Sequence, residues 1–379
     1  MRTESEILAT AQNVDYTLIP ELFEVAPKTG PTIEIQDLLT HLAQGTKHLR
    51  IIDVRSEGEF EESHLPGAES FPILNNLERR EVGILYKQHS QKAAVALALK
   101  FAQPKMQSLL DFVSQSQKET IIHCWRGGGR SAFCAHNLNE QNIPVKRLVG
   151  GHKAYRQVVH EALYNQEFPP LLILSGMTGV GKSRVLDLLK DKTACLHLED
   201  FAQNTASSFG RIPYLIKGSY RHISQKSFED SLYYHTYLNP MPISALGLIT
   251  ESESLRIGNL TLPPSLYAKM KQSPTIELTC SLEVRVKRIY EDYVGENHKG
   301  LELLGKCLQS LQRYVSKAQM QSWNQLYQSG RIFELLESLL VDYYDQRYSC
   351  IYAKATMAIN TDNLEEAAKE ILEKSTINS

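Results

Sequence analysis

The chain has 379 residues, more than one typical domain requires, and its apolar content of 42% is sufficient for real hydrophobic cores. Its formal net charge of -2 excludes a uniformly basic nucleic-acid coat but leaves room for a local basic surface. No signal-peptide core, no apolar run near about 18 residues and no cysteine pairing pattern is present, so we expect a cytoplasmic protein without a membrane segment.

The first half of the chain alternates between strand and helix patterns. Residues 1–30 are polar and are predicted to form an N-terminal arm or edge strand, not a core element. The apolar stretch Leu49–Arg55 predicts a buried strand, and Pro66–Gly67 marks a turn after it. Residues 31–168 are therefore assigned to one α/β domain, with a parallel sheet flanked by helices.

A charged segment with a helical pattern, residues 75–101, interrupts this domain. It carries Arg79, Arg80 and Lys87. Most such charge runs form a solvated helix face. The same residues would also suit an insertion that grips a partner or substrate beside a reactive site, and the sequence leaves both interpretations open.

One cysteine stands in a glycine-rich loop between the apolar pair Ile121–Ile122 and a helical pattern. Three glycines with φ > 0 would turn backbone N–H groups inward as an anion nest, and the helix N-terminus adds partial positive charge. Both effects favour a thiolate, so Cys124 is predicted to be a nucleophile with a lowered pKa, and Arg130 to close the loop on an oxyanion. The other predicted anion-loop residues are Arg126, Gly127, Gly128, Gly129 and Ser131.

The length of this loop leaves two chemistries open. Five residues separate Cys124 from Arg130, one more than in the usual sulfurtransferase loop. The pattern His-Cys-x5-Arg-Ser also matches the signature of cysteine-dependent phosphatases. The site therefore handles either a chalcogen or a phosphate-sized oxyanion.

The diproline Pro169–Pro170 is predicted to begin a second domain, residues 169–379. An apolar strand pattern, a glycine-rich loop and a helix pattern follow, which is the context of a Walker A phosphate loop. This predicts a P-loop, kinase-like α/β domain with a helical C-terminal extension. The predicted phosphate-binding residues are Gly176, Gly179, Gly181, Lys182 and Ser183.

Acidic residues follow two later strand patterns of this domain. Glu199 and Asp200 follow the first, and Glu251 and Glu253 follow the second. The second pattern is a poor Walker B motif, which argues against a motor ATPase and favours a domain that binds a diphosphate. These carboxylates would hold a metal, orient water or cap backbone groups, and no metal site is firmly assigned.

The motifs of the first domain resemble the rhodanese family. They are Asp53-Val54-Arg55, Glu59-Phe60, His64–Ala68, the Cys124–Ser131 loop and Leu148–Gly151. In that family, Asp53 and Arg55 are expected to be structural.

Over nearly its whole length, the chain resembles the tRNA 2-selenouridine synthase family. The resemblance includes the insert, the cysteine loop, the Walker A loop and the segments Ser224–Glu229 and Tyr343–Asp345. Ser252 and Leu255 depart from the usual acidic and basic residues, so no catalytic role is carried over to them.

This resemblance implies a transferase acting on the wobble 2-thiouridine of lysine, glutamate and glutamine tRNAs. The sulfur is geranylated from geranyl diphosphate, and selenophosphate then delivers selenium. A selenophosphate-producing enzyme is an implied partner, no tightly bound cofactor is implied, and Mg²⁺ is compatible with the phosphate loop. Candidate tRNA contacts are Arg79, Arg80, Lys87, Arg211, Lys217 and Arg221. The alternative function is a cysteine-dependent phosphatase or sulfurtransferase fused to a nucleotide-binding kinase-like domain.

Overall fold

A computed structural model describes residues 2–10, 30–45, 48–205, 207–239, 241–347 and 355–376. The chain divides into two compact units, residues 1–160 and residues 161–379. Each unit is an α/β structure built on a five-stranded sheet. None of the helices formed by the described residues has the length and apolarity needed to cross a bilayer.

The first unit contains five strands and eight α-helices within the described residues. The strands are β1 (Thr32–Ile33), β2 (Leu49–Asp53), β3 (Ala68–Ser70), β4 (Glu119–His123) and β5 (Val145–Leu148). The helices are α1 (Glu4–Thr10), α2 (Ile35–Ala43), α3 (Glu57–Glu62), α4 (Asn76–Gln88), α5 (Gln91–Ala102), α6 (Met106–Ser114), α7 (Gly129–Glu140) and α8 (Gly151–His160).

The sheet of this unit is parallel, in the order β1-β5-β4-β2-β3. Strands β2 and β4 are its apolar centre, and Ile51 and Ile52 pair with Ile121 and Ile122. Continuous apolar runs suit strands that are covered on both faces. Because β4 ends at His123, Cys124 lies at the carboxyl edge of the sheet, where α/β folds bind their ligands.

Residues 75–101 form the helical hairpin α4–α5, as the sequence predicts. Asn75 begins α4 with a capping box that it shares with Glu78, and Ser90 caps α5. The prediction of a non-core arm is wrong for residues 4–10, which form α1. Its Ile7 is fully buried against the apolar side of the hairpin, where it packs with Leu85, Ala93, Ala94 and Leu97. Residues 11–29 of the predicted arm lie outside the described residues.

The second unit also has a parallel sheet of five strands, with a separate two-stranded ribbon. The strands are β6 (Leu171–Ser175), β7 (Cys195–Leu196), β8 (Leu248–Glu251), β9 (Arg256–Ile257), β10 (Leu260–Thr261), β11 (Thr275–Thr279) and β12 (Met357–Asn360). The helices are α9 (Lys182–Leu189), α10 (Leu198–Ala202), α11 (Ile212–Ile216), α12 (Gln225–Tyr233), α13 (Pro264–Gln272), α14 (Leu282–Tyr293), α15 (Leu301–Ser310), α16 (Lys317–Gln328), α17 (Ile332–Leu339), α18 (Asp345–Arg347) and α19 (Leu364–Thr376).

The strand order β12-β11-β6-β8-β7 puts β6 at the centre. The phosphate loop leaves the carboxyl end of β6, beside the acidic end of β8. The C-terminal extension, which is predicted to be mostly helical, also contains strand β12. Met357–Asn360 pairs with Thr279 and the rest of β11 as the fifth strand of the sheet. A four-residue strand is too short for its side-chain pattern to stand out from the helices on either side.

Candidate functional site

Cys124 is buried at the end of β4, in front of the first turn of α7. Its Sγ lies 3.2 Å from the Ser131 hydroxyl oxygen and 3.8 Å from the carbonyl oxygen of Gly128. The structure therefore brings the predicted cysteine, loop glycines and serine together at a helix N-terminus. Arg126, from the same loop, is exposed.

The prediction of φ > 0 at all three loop glycines is wrong. Only Gly127 has a positive φ, at 65°, whereas Gly128 has φ -97° and Gly129 begins α7. One left-handed residue is enough to turn the chain, because the helix takes over immediately. The Gly128 carbonyl oxygen faces the thiol. The backbone around the sulfur therefore includes a hydrogen-bond acceptor and does not consist of N–H donors alone.

The glycine pair after β5 fits directly against this loop. A Cβ on Gly127 would lie 2.5 Å from the Leu148 carbonyl oxygen, and a Cβ on Gly151 would lie 2.2 Å from the Cys124 carbonyl oxygen. The backbone N–H of His152 donates to that same Cys124 carbonyl at 2.9 Å. Glycines are thus required on both sides of a backbone contact that fixes the cysteine.

Arg130, which is predicted to close the loop on an oxyanion, is already paired with a carboxylate. Its guanidinium donates to both carboxylate oxygens of Glu59, at 2.7 and 3.2 Å. Burial opposes ionisation of Glu59, but the hydrogen bond and charge of Arg130 outweigh it and lower the pKa of Glu59 to about 2. Arg130 is therefore held in place by a carboxylate before any anion binds.

Glu59 also connects the helical insert to this site. Arg79, near the start of α4, contacts Glu59 at 3.0 Å while its side chain stays half exposed. The role of Glu59 was missed by sequence reasoning, although the Ser56-x-x-Glu59 pattern marks it as the third helical residue of the capping box at the start of α3. Asp53 and Arg55 form a fully buried pair, and Arg55 donates to the Ser63 carbonyl at 2.6 Å, which is the structural role expected of them.

The second predicted site is a phosphate loop between β6 and α9. Gly176, Gly179 and Gly181 all have positive φ, at 142°, 84° and 91°. Lys182 Nζ donates to the Gly176 carbonyl at 3.0 Å, and the Ser183 hydroxyl donates to Glu199 at 2.9 Å. The loop thus has the backbone shape that a bound phosphate requires, and its lysine folds over it.

The predicted acids collect beside this loop. The Glu199 backbone N–H donates to Glu251 Oε1 at 2.8 Å, and Glu251 Oε2 is buried without a hydrogen-bond partner among the described residues. Burial and the charge of Glu199 raise the pKa of Glu251 to about 8, and the same two causes raise the pKa of Glu253. Asp200 is exposed at the edge of the cluster.

A cavity of about 410 Å³ opens from the phosphate loop. Lys182, Ser183 and Glu199 line it, and so do aromatic and leucine side chains. The apolar lining is not evident from the sequence, because most of its residues come from helices far along the chain and have the pattern of ordinary core positions. The apolar and aromatic lining residues include Phe209, Tyr293, Leu304, Leu336, Leu339, Leu340 and Tyr344.

The side chains of all six candidate tRNA contacts are exposed. Exposure is expected both for a solvated surface and for a surface that binds nucleic acid. Arg80 donates to the Arg2 carbonyl at 3.3 Å, and Lys87 lies in the last turn of α4. In the second unit, Arg211 lies over the Tyr220 ring and Lys217 lines the cavity. Arg221 lies close by in the chain.

Comparison with known proteins identifies relatives for both units. A family described as "tRNA 2-selenouridine synthase AAA domain" matches residues 169–378, and one described as "Rhodanese-like domain" matches residues 34–157. The chain is 33% identical to a tRNA 2-selenouridine synthase of Shewanella pealeana, over 68% of this chain and 69% of the relative. It is 29% identical to one of Chromohalobacter salexigens, over 82% of this chain and 90% of the relative.

Proposed function

Because the chain belongs to the tRNA 2-selenouridine synthase family, we propose that it converts wobble 2-thiouridine to 2-selenouridine through an S-geranylated intermediate. The substrates are geranyl diphosphate, selenophosphate and the tRNAs for lysine, glutamate and glutamine. The observation that carries this proposal is the presence of two anion sites in one chain: a cysteine loop and a phosphate-loop cavity with an apolar part.

In the first step, the thiocarbonyl sulfur of the base attacks C1 of geranyl diphosphate. A C–S bond forms, the C–O bond breaks and diphosphate leaves. Lys182 and the N–H groups of the phosphate loop stabilise the negative charge that develops on the leaving group. Alkylation also converts a poor leaving group at C2 into a good one for the next step.

The cluster beside the loop offers hard oxygen donors of the kind that Mg²⁺ prefers, and Mg²⁺ commonly uses one or two carboxylates together with substrate phosphates. Ser183 and Glu199 would hold the ion. When bound, it would neutralise diphosphate charge.

In the second step, selenium from selenophosphate bonds to C2, geranyl thiolate leaves, and water cleaves the Se–P bond to release phosphate. Cys124 attacks C2 of the S-geranylated base and expels geranyl thiolate, and the selenium of selenophosphate then bonds to C2 and releases the cysteine thiolate. Arg130 binds the phosphate group of selenophosphate with those N–H groups that Glu59 leaves available.

Both steps require the wobble base to leave the anticodon stack, as for other enzymes that modify bases. Binding to the tRNA backbone is assigned to the six exposed basic residues of the candidate set. A cytoplasmic location would keep the cysteine reduced.

The test is mass spectrometry of tRNA nucleosides from cells with and without the gene. We expect 2-selenouridine and geranylated 2-thiouridine to disappear on deletion and return on complementation. Unchanged levels of both would rule out the synthase activity. Phosphate release from small aryl phosphates by a protein that ignores tRNA would instead support the phosphatase alternative.

A further inference from the structure

The cavity of the second unit has both polar and apolar lining residues. Its polar lining includes the ammonium group of Lys182, the hydroxyl of Ser183 and the carboxylate of Glu199. Its apolar lining includes side chains of the helices that follow β11, together with Phe209 and Pro213. A site with these two kinds of wall suits a ligand with an anionic end and a hydrocarbon end.

Two hydroxyl groups of the cavity lining lie within hydrogen-bond distance of each other. The Tyr293 hydroxyl lies 2.6 Å from the Thr205 hydroxyl, and both residues line the cavity. Burial raises the pKa of Tyr293, and the charge of Glu199 adds to this effect, which puts Tyr293 within electrostatic reach of the carboxylate beside Ser183. Tyr344 packs edge-on against Phe209 at 6.4 Å between ring centroids, and both rings line the cavity.

Four leucines contribute to the apolar lining. Leu304 comes from α15, Leu336 and Leu339 from α17, and Leu340 from the π-helical segment Leu340–Tyr344 that follows α17. All four also belong to the hydrophobic core that joins these helices. Branched aliphatic side chains offer no hydrogen bonds, whereas a buried purine would need partners for its ring nitrogens.

We propose that this leucine wall (Leu304, Leu336, Leu339 and Leu340) receives the hydrocarbon chain of the prenyl donor and sets the chain length that the enzyme accepts. The inference rests on the proposed function, since it assigns the diphosphate end to the Lys182 loop. The C-terminal helices α15 and α17 would then determine which prenyl chain length is accepted. The occupant of the cavity is accordingly a prenyl diphosphate and not a nucleotide.

Binding of the full-length protein to three probes tests the choice of ligand. Calorimetry would compare geranyl diphosphate, inorganic pyrophosphate and ATP under the same Mg²⁺ and salt conditions. We expect geranyl diphosphate to bind about a hundredfold more tightly than pyrophosphate, because each buried methylene adds to affinity. Equal affinity for these two ligands, or tighter binding of ATP, would overturn the proposal.

Two matched pairs of variants test the role of the wall. Leu336→Ala enlarges it, whereas Leu335→Ala removes a neighbouring core leucine of α17 that is not part of the cavity lining. Leu304→Ala and its control Leu308→Ala repeat the comparison on α15, which keeps the test valid if one variant fails to fold. Thermal unfolding of each pair provides the control for loss of packing.

The readout is the ratio of kcat/KM for farnesyl diphosphate to that for geranyl diphosphate, with thiolated tRNA as acceptor. We expect Leu336→Ala and Leu304→Ala to raise this ratio about tenfold, and their controls to leave it unchanged. Equal ratios in wall and control variants would refute the chain-length role while leaving the synthase activity intact. A wild-type protein that alkylates no tRNA with any prenyl donor would instead contradict the proposed function itself.

Discussion

At the scale of single residues, Gly127 is the position where the cysteine loop tolerates no side chain. It has a φ of 65°, and an added Cβ would lie 2.5 Å from the Leu148 carbonyl oxygen. We expect Gly127→Ala to reduce the rate of selenation about a hundredfold, since a displacement of about 1 Å at a reacting group costs this much. The rate would be measured with pre-geranylated tRNA and selenophosphate.

Gly128 provides the matched control for this prediction. A Cβ at Gly128 meets nothing within 4 Å, and its φ of -97° lies outside the left-handed region that favours glycine. Gly128→Ala should therefore retain most of the activity. An equal loss in both variants would show that the loop responds to any added side chain and not to the contact at Leu148.

Glu59 gives the cysteine site a defined dependence on pH. Its lowered folded-state pKa of about 2 means that ionised Glu59 stabilises the fold above its ordinary pKa near 4.5. This stabilisation is lost as the pH falls from about 4.5 to about 2. We expect Glu59→Gln to lower the free energy of unfolding at pH 7 by at most about 3 kcal/mol, with a smaller difference from the wild type at lower pH.

Urea unfolding of the wild type and Glu59→Gln, at several pH values from 7 downwards, would measure this difference. A constant difference across the series would mean that Glu59 acts by packing and not by its charge. The variant should also raise the KM for selenophosphate more than it changes kcat, because Arg130 would lose the carboxylate that holds it at 2.7 Å.

At the scale of elements, helix α4 is the part of the insert most suited to contact RNA. Arg80 and Lys87 are exposed on it, and neither is joined to Glu59 as Arg79 is. We expect Arg80→Ala and Lys87→Ala each to weaken tRNA binding and to reduce the slope of log K against log salt by about one. Filter binding of thiolated tRNA over a range of salt concentrations would give this slope.

Lys369→Ala on α19 is the control, because this lysine is also exposed and its ion pair with Glu373 is long, at 3.8 Å. It should leave the slope unchanged. If both α4 variants kept the wild-type slope, the charged face of the insert would be a solvated surface, which is the other interpretation that the sequence allowed.

At the scale of the whole molecule, the two anion sites lie in separate compact units, so the two reaction steps should separate by mutation. We expect Cys124→Ala to accumulate geranylated tRNA without selenation. Lys182→Ala should fail to geranylate but still selenate tRNA that is supplied already geranylated. Mass spectrometry of the nucleosides after incubation with each variant would measure both products.

This pair of variants also tests whether each unit performs one step. Loss of geranylation in Cys124→Ala would require the cysteine to take part in both steps. Loss of selenation of pre-geranylated tRNA in Lys182→Ala would require the phosphate loop to take part in both. Either result would contradict the division of chemistry between the units.

The sequence by itself determined the α/β class, the rhodanese-like and P-loop units and the positions of both anion loops. These features are local, since a phosphate loop needs left-handed glycines such as Gly179 and Gly181 at fixed spacing, and a strand or helix imposes its own periodicity. The helical insert was readable for the same reason. The position of the loop around Cys124 follows from the sequence. The sequence does not show that Gly127 is the glycine of this loop with a positive φ.

Only the tertiary structure decided which distant groups meet. Glu59 and Arg130 are 71 residues apart, and no sequence spacing links a carboxylate to one particular guanidinium. Lys182 and Leu336 line the same cavity. From the sequence, Leu336 has only the pattern of an ordinary core leucine. Side-chain pairing and cavity shape are set by how separate elements pack, so the carboxylate that holds Arg130 and the apolar wall appear only in the folded chain.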